Sequence, residues 1–262
     1  MTHQNNNVVS QSLRQMGGRI KILAINASPR GEKGNTERLL QPFLEGARET
    51  GGITETIYLR EKKIHYCSGC FTCWTKTPGV CAHKDDMPEL LGKIRQANIL
   101  VYATPLYSYS VTGLMKTYLD RNLPLALPYM IKEGDQYVHP MRHPEAWPKK
   151  LIVISTCGFP EPHHFSGLVE MFHRLTSRPA LELAGMILCP GGELLRQPQL
   201  QQVFQWYFDA AHNAGREICE LGNITPDTQS ILRRPLMPDT DAFTKLGNAH
   251  WDQVIAHSNY VE

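Results

Sequence analysis

Five short apolar runs of strand type alternate with five stretches of helical period along this chain, and that alternation restricts its fold more than any other feature. The first run, Arg19 to Asn26 (RIKILAIN), follows a Gly-Gly break. Thr36 to Ala47 then puts Leu39, Leu40, Phe43, Leu44 and Ala47 on one helical face, with Pro42 a point where the helix would kink. Further strands begin at Ile53 (ITETIYL), Asn98 (NILVYAT), Leu151 (LIVIST) and Glu182 (ELAGMIL). Helical patterns run from about Met87, from Val111 to Leu123, near Phe165 to Leu175, and near Pro198 to Leu221, where Pro198 suits a first turn and Gly222 an end.

Strand and helix in alternation predict a parallel sheet covered on both faces, and right-handed crossovers leave few ways to connect it. The expected architecture is α/β, a flavodoxin-like doubly wound sheet of five parallel strands in the order 2-1-3-4-5, with a C-terminal extension. The expected organisation is a flexible N-terminal segment over 1–18, one domain over 19–222 with a cysteine loop at 67–81 and an insertion at 124–149, and an extension over 223–262. The insertion and the extension both hold large apolar side chains, which argues against disorder. The extension is either a helix packed on its own domain or an arm embracing a second subunit, and the arm is the reading preferred.

The 27 Lys and Arg nearly balance 25 Asp and Glu, a net charge of +2 that gives no field for nucleic acid or an anionic membrane. No run approaches the length of a membrane span and no secretion signal opens the chain, so a cytoplasmic protein is expected. Seven cysteines then point to metal or redox chemistry rather than a disulfide framework.

In an open parallel sheet, ligands bind beyond the carboxyl ends of the strands where the strand order reverses. The loop after the first strand, Ser28-Pro29-Arg30-Gly31-Glu32-Lys33-Gly34-Asn35-Thr36, places glycines, hydroxyls, an amide and cations before a helix N-terminus. Backbone N–H groups there favour an anion, and Ser28, Arg30, Asn35 and Thr36 add donors, which makes a phosphate cup. A plain helix cap and turn would use the same residues. Neither G-x-x-x-x-G-K-[ST] nor G-x-G-x-x-G occurs in this loop. After the third strand, Thr104-Pro105 leads to Tyr107 and Tyr109 as flat surfaces, with Ser108 or Ser110 as donors and Ser110 as a cap for the next helix. Lys116 and Asp120, four apart on that helix, suit a surface ion pair.

Cys67, Cys70, Cys73 and Cys81 form C-x2-C-x2-C-x7-C between the second strand and the Met87 helix. Zinc knuckles come as two separated pairs, whereas this spacing is closer to that of a [4Fe-4S] cluster. Zinc on the same sulfurs and a cluster-free loop of reduced cysteines stay open. Cys157, Cys189 and Cys219 stand alone, in positions typical of small buried hydrophobes.

SPRGEKGNT, TPLYSYSVTGLMKTYLDR, TCGFPE and the cysteine segment through Asp85-Asp86-Met87 resemble the flavin loops and cysteine motif of the NAD(P)H-dependent FMN reductase and iron-sulfur flavoprotein families, over roughly Arg19 to Leu221. The resemblance implies that Ser28, Arg30, Asn35 and Thr36 hold the phosphate of FMN. It implies further that Pro105, Leu106, Tyr107, Ser108 and Ser110 line the isoalloxazine, and that Cys157 and Gly158 close its other side. It also implies NAD(P)H as co-substrate, a small-molecule electron acceptor or a ferredoxin-like protein as partner, and a homodimer or higher homo-oligomer. A non-enzymatic electron carrier and a cofactor-free regulatory protein are the competing functions on the same fold.

Overall fold

A computed structural model describes residues 19–177 and 180–257; the segment 1–18 lies outside the described residues. The main sheet holds β1 (Lys21–Asn26), β2 (Ile53–Tyr58), β3 (Ile99–Ala103), β6 (Lys150–Thr156) and β7 (Glu182–Cys189), all parallel, in the order β2-β1-β3-β6-β7. Counted within that sheet the order is 2-1-3-4-5, as expected. The 124–149 insertion contributes a separate antiparallel hairpin, β4 (Ile131–Glu133) with β5 (Gln136–Val138).

Alternate residues of each central strand face opposite layers, so near-continuous apolar strands feed two cores. Ile22, Ala24, Val101 and Ile152 join α1 (Asn35–Glu49) and α5 (Gln205–Glu220) on one side. Leu23, Ile25, Tyr102 and Val153 join α2 (Met87–Gln96), α3 (Gly113–Asp120) and α4 (Ser166–Leu175) on the other. The backbones of α1 and α5 meet where a Cβ on Gly215 would overlap the Phe43 carbonyl and one on Gly46 would overlap that of His212.

Several boundaries differ from the sequence expectation. One helix continues through Pro42, and it starts at Asn35. Thr112, not Ser110, caps α3: its Oγ1 accepts from Met115 N–H at 3.2 Å while donating to the Ala27 carbonyl at 2.9 Å. Pro198 opens a separate turn of 3-10 helix, and the long helix begins only at Gln205. Gly222 follows α5 with φ +80°, the left-handed helix stop expected of it.

The extension divides into α6 (Pro226–Leu232) and α7 (Thr240–His257). The first packs on its own domain: Glu217 accepts from Thr225 N–H and Thr225 Oγ1 at 2.8 Å and from Thr228 Oγ1 at 2.7 Å, and Leu232 is buried. The second buries none of its residues, though Phe243 lies against Gly191.

Candidate active site

The loop after β1 folds back on itself. Ser28 N–H donates to Asn26 Oδ1 at 2.8 Å, and Ser28 Oγ accepts from Arg30 N–H at 3.2 Å. Gly31 takes φ +54°, and a Cβ on Gly34 would overlap Ser28 Oγ, so glycine suits both positions. Ser28, Asn35 and Thr36 are all buried. Thr36 Oγ1 lies 3.1 Å from Thr156 Oγ1 at the end of β6, and Asn35 Oδ1 has no hydrogen-bond partner. Beneath them the buried Glu37 carboxylate accepts from Asn26 Nδ2 at 2.6 Å, Gln41 Nε2 at 2.5 Å and Tyr58 Oη at 2.6 Å, tying the start of α1 to the ends of two strands.

Glu193, in the turn after β7, completes this loop and was not singled out in the sequence. Its carboxylate accepts from Arg30 Nη2 at 3.1 Å and is within hydrogen-bonding reach of the Asn35 side chain. Partial burial acts to raise the Glu193 carboxyl, but the Asn35 amide and the Arg30 guanidinium together hold it below the usual range. Two of the expected anion-binding residues therefore already engage an anion.

The loop after β3 pairs onward with β6, Leu106 N–H donating to the Thr156 carbonyl at 2.9 Å. Tyr107 and Ser110 then exchange backbone bonds at 3.0 Å each way around a tight turn whose central residues, Ser108 and Tyr109, have φ of +48° and +62°. Such a turn ordinarily calls for Asn or Gly, and left-handed backbone at other residues gathers at functional loops. Tyr107 and Tyr109 stand 49% and 60% exposed. Across from them Cys157 N–H bonds the Cys189 carbonyl at 3.1 Å, and Gly192 N–H bonds the Cys157 carbonyl at 2.8 Å. Burial pushes the Cys157 thiol up, and pushes Cys189 up to about 12, which makes both poor nucleophiles. Phe159, 54% exposed, stacks on His164 at 4.3 Å between centroids, and Tyr109 stacks on the same ring at 5.9 Å. Thr36 thus meets Thr156, and the Tyr109 turn meets the segment after β6, leaving an open shelf of exposed rings.

The cysteine loop lies at the far end of α3. Cys67, Cys70, Cys73 and Cys81 all line one small cavity with His83, Arg121 and Leu123. All are free thiols, and no three Cys, His, Asp or Glu side chains among the described residues form a group suited to a metal ion as placed. The Thr72 hydroxyl and backbone, with the Ser68 hydroxyl, hold the exposed Cys70 thiol down at about 7, while burial and neighbouring thiols push Cys73 up. Trp74 anchors the loop, its Nε1–H shared between the carbonyls of Leu123 at 3.2 Å and Ala126 at 3.0 Å.

Lys116 and Asp120 form the expected exposed ion pair, at 2.7 Å. Arg121 does not share that surface: it is buried and forks onto Asp85, with Nη1 to Oδ2 at 2.6 Å and Nη2 to Oδ1 at 3.0 Å. Burial acts to raise the Asp85 carboxyl, but Arg121 and the backbone N–H groups of His65 and Met87 outweigh it and hold the group at about 2.

Residues 20–158 match the model of the family described as NADPH-dependent FMN reductase. An iron-sulfur flavoprotein of Archaeoglobus fulgidus is 38% identical over 105 residues, 40% of this chain and 46% of that protein. The chain spans about half the length of such relatives. Among solved structures, the NAD(P)H:quinone oxidoreductase of Methanothermobacter marburgensis aligns with a TM-score of 0.56 at 18% identity, over 77% of this chain and 100% of that one. An FMN-dependent NADH-azoreductase of Bacillus anthracis, solved with FMN, aligns at 0.58 and 17% identity, over 76% and 99%. These two likenesses are likenesses of fold.

Proposed function

The chain belongs to the NADPH-dependent FMN reductase family, and from that premise we propose that it is an FMN-dependent oxidoreductase that takes electrons from NAD(P)H or a protein donor and passes them to a small-molecule or protein acceptor. The observation that carries the reading is the Glu193 carboxylate on Arg30 and Asn35: the loop after β1 is built to engage an anion, and a phosphate is the anion that such a helix start suits best. In this reading Ser28, Arg30, Asn35 and Thr36 hold the phosphate of FMN. Pro105, Leu106, Tyr107, Ser108 and Ser110 line its ring, and Cys157 and Gly158 close the other side. The flavin, when bound, supplies the hydride and single-electron chemistry. The protein's own part is orientation, a partly dry face, and exposed aromatic surface at Tyr107, Tyr109 and Phe159 against which a nicotinamide or an acceptor would stack.

The reading extends to a [4Fe-4S] cluster on Cys67, Cys70, Cys73 and Cys81. Supporting it are the convergence of four free thiols on one cavity and the likeness to relatives named iron-sulfur flavoproteins. α7, which exposes Leu246, Trp251 and Ile255, suits an arm that completes a homo-oligomer.

A visible absorption spectrum of anaerobically purified protein, with iron and acid-labile sulfide analysis, tests both cofactors. Flavin bands with about four irons per chain are the expected result. Failure to take up added FMN would overturn the function proposed, whereas flavin without iron would overturn the cluster alone.

A further inference from the structure

Arg121 has more buried hydrogen-bonding capacity than its ion pair uses. Its side chain and that of Asp85 are each 1% exposed. Both terminal nitrogens are accounted for, by the two Asp85 oxygens and by the His65 carbonyl, which accepts from Nη1 at 2.6 Å. Nε is buried and has no hydrogen-bond partner. A charged N–H left without an acceptor away from water is costly, and native proteins seldom leave one without a reason.

Beside Arg121 lies the cavity of the four thiols, which Arg121 lines and Asp85 does not. His83 Nε2 is a second buried nitrogen without a partner, on the same cavity. The Cys81 sulfur is the guanidinium's neighbouring acceptor after Asp85, close enough to act on it although Nε has no formed bond. One wall of the cavity thus offers an unused N–H and a fixed positive charge; the other walls carry the four sulfurs together with Ser68, Phe71, Leu123, Pro124 and Asp120, whose carboxylate is already paired with Lys116.

Resting on the iron-sulfur reading of the cysteine loop, we infer that Arg121 is the positioning residue of that centre: its Nε–H donates to a sulfur of the cluster or of the Cys81 ligand, and its buried charge, held in place by Asp85, favours the reduced cluster. The physical reason is charge. A cluster held by four thiolates is anionic, reduction adds one more negative charge, and donors and cations beside the sulfurs stabilise that state. The cation is the nearer member of the Asp85–Arg121 pair, so the two partners act on the cluster with opposite signs.

The test is anaerobic reconstitution of the full chain with ferrous iron and sulfide, iron counting, and a mediated redox titration followed by electron paramagnetic resonance. Arg121→Gln lowers the midpoint potential, Asp85→Asn raises it, and Arg121→Lys, which keeps the charge without Nε–H, falls between wild type and Arg121→Gln. Should either single variant fail to fold, the double variant Asp85→Asn/Arg121→Met removes both charges at once and is expected to bind iron with a lowered midpoint. Shifts of the same sign in the two single variants, an unmoved midpoint in Arg121→Gln, or an unmoved midpoint in the double variant would each overturn the inference. Wild-type protein that takes up no iron would overturn the cluster reading, and this inference with it. Iron held at an unmoved potential would overturn this inference alone.

Discussion

Arg30 and Glu193, 163 residues apart in the chain, meet at 3.1 Å beside the buried Asn35. In the function proposed, the carboxylate competes with the flavin phosphate for the same two donors.

Glu193→Gln should therefore tighten FMN, by roughly three- to tenfold given how far solvent screens a half-exposed charge. Asn35→Ala, which removes a donor of the cup, should loosen FMN about tenfold. Quenching of flavin fluorescence on titration measures both. Weaker binding by Glu193→Gln would mean that the carboxylate helps to hold the cofactor instead of occupying its place.

Ser108 and Tyr109 keep left-handed backbone without glycine or asparagine. Ser108→Gly should release about 1 kcal/mol of backbone strain, offset in part by the greater freedom of the unfolded chain. The net change in stability should be small, while loss of the hydroxyl weakens FMN about fivefold. Thermal unfolding without flavin, set beside FMN titration, separates the two effects. A large loss of stability would contradict the reading of this turn as strained.

Asp85, held at about 2 in the folded protein, makes stability depend on acid. Its folded value lies below the unfolded one, so its contribution is complete above about pH 4 and disappears as the pH falls toward 2, an effect on the order of 2 kcal/mol. Urea unfolding of wild type and Asp85→Asn should show a gap that is constant from pH 7 to 5 and narrows below pH 4. At neutral pH, Arg121→Ala should cost about 3–5 kcal/mol, since it strands a buried carboxylate.

Gly215→Ala tests the seam between α1 and α5. The added Cβ meets the Phe43 carbonyl, which cannot turn aside as a side chain would, so a loss of about 3 kcal/mol or more is expected. An unchanged melting temperature would show that the two helices are free to separate.

Removing residues 240–262 should leave the melting temperature nearly unchanged, because α7 buries none of its residues. If α7 is an intersubunit arm, the same truncation lowers the mass found by light scattering. A truncated chain of unaltered oligomeric state would dispose of the arm.

The sheet was legible in the sequence because its central strands are buried on both faces and read as unbroken apolar runs, Leu23 to Ile25 and Leu151 to Ile154 among them. The loop after β1 was legible too, since its glycines, hydroxyls and cations sit together in the chain. Partners supplied from a distance were not. Glu193 and Thr156 reach Asn35 and Thr36 only through the sheet's crossovers, and no local pattern announces them. The ion pair at Lys116 followed from helical spacing, yet that spacing says nothing of its neighbour Arg121, which is buried. Asp85, its partner, lies 36 residues upstream in the loop before α2. The cap of α3 was misplaced by two residues, because Ser110 and Thr112 are equally good caps and only the tight turn at Ser108-Tyr109 decides between them.

α3 is capped by Thr112, bonded to the Ala27 carbonyl beside the aromatic shelf, and is followed by Arg121 on the wall of the thiol cavity. Eight residues at ~1.5 Å each make it a rod of about 12 Å. A rod neither shortens nor stretches, so the interval between shelf and cavity is fixed by counting residues rather than by the softer geometry of loops. One residue added to α3 would do more than lengthen it: it would swing Arg121 about 100° around the axis and pull the guanidinium off Asp85, uncoupling the two ends while each remained locally intact.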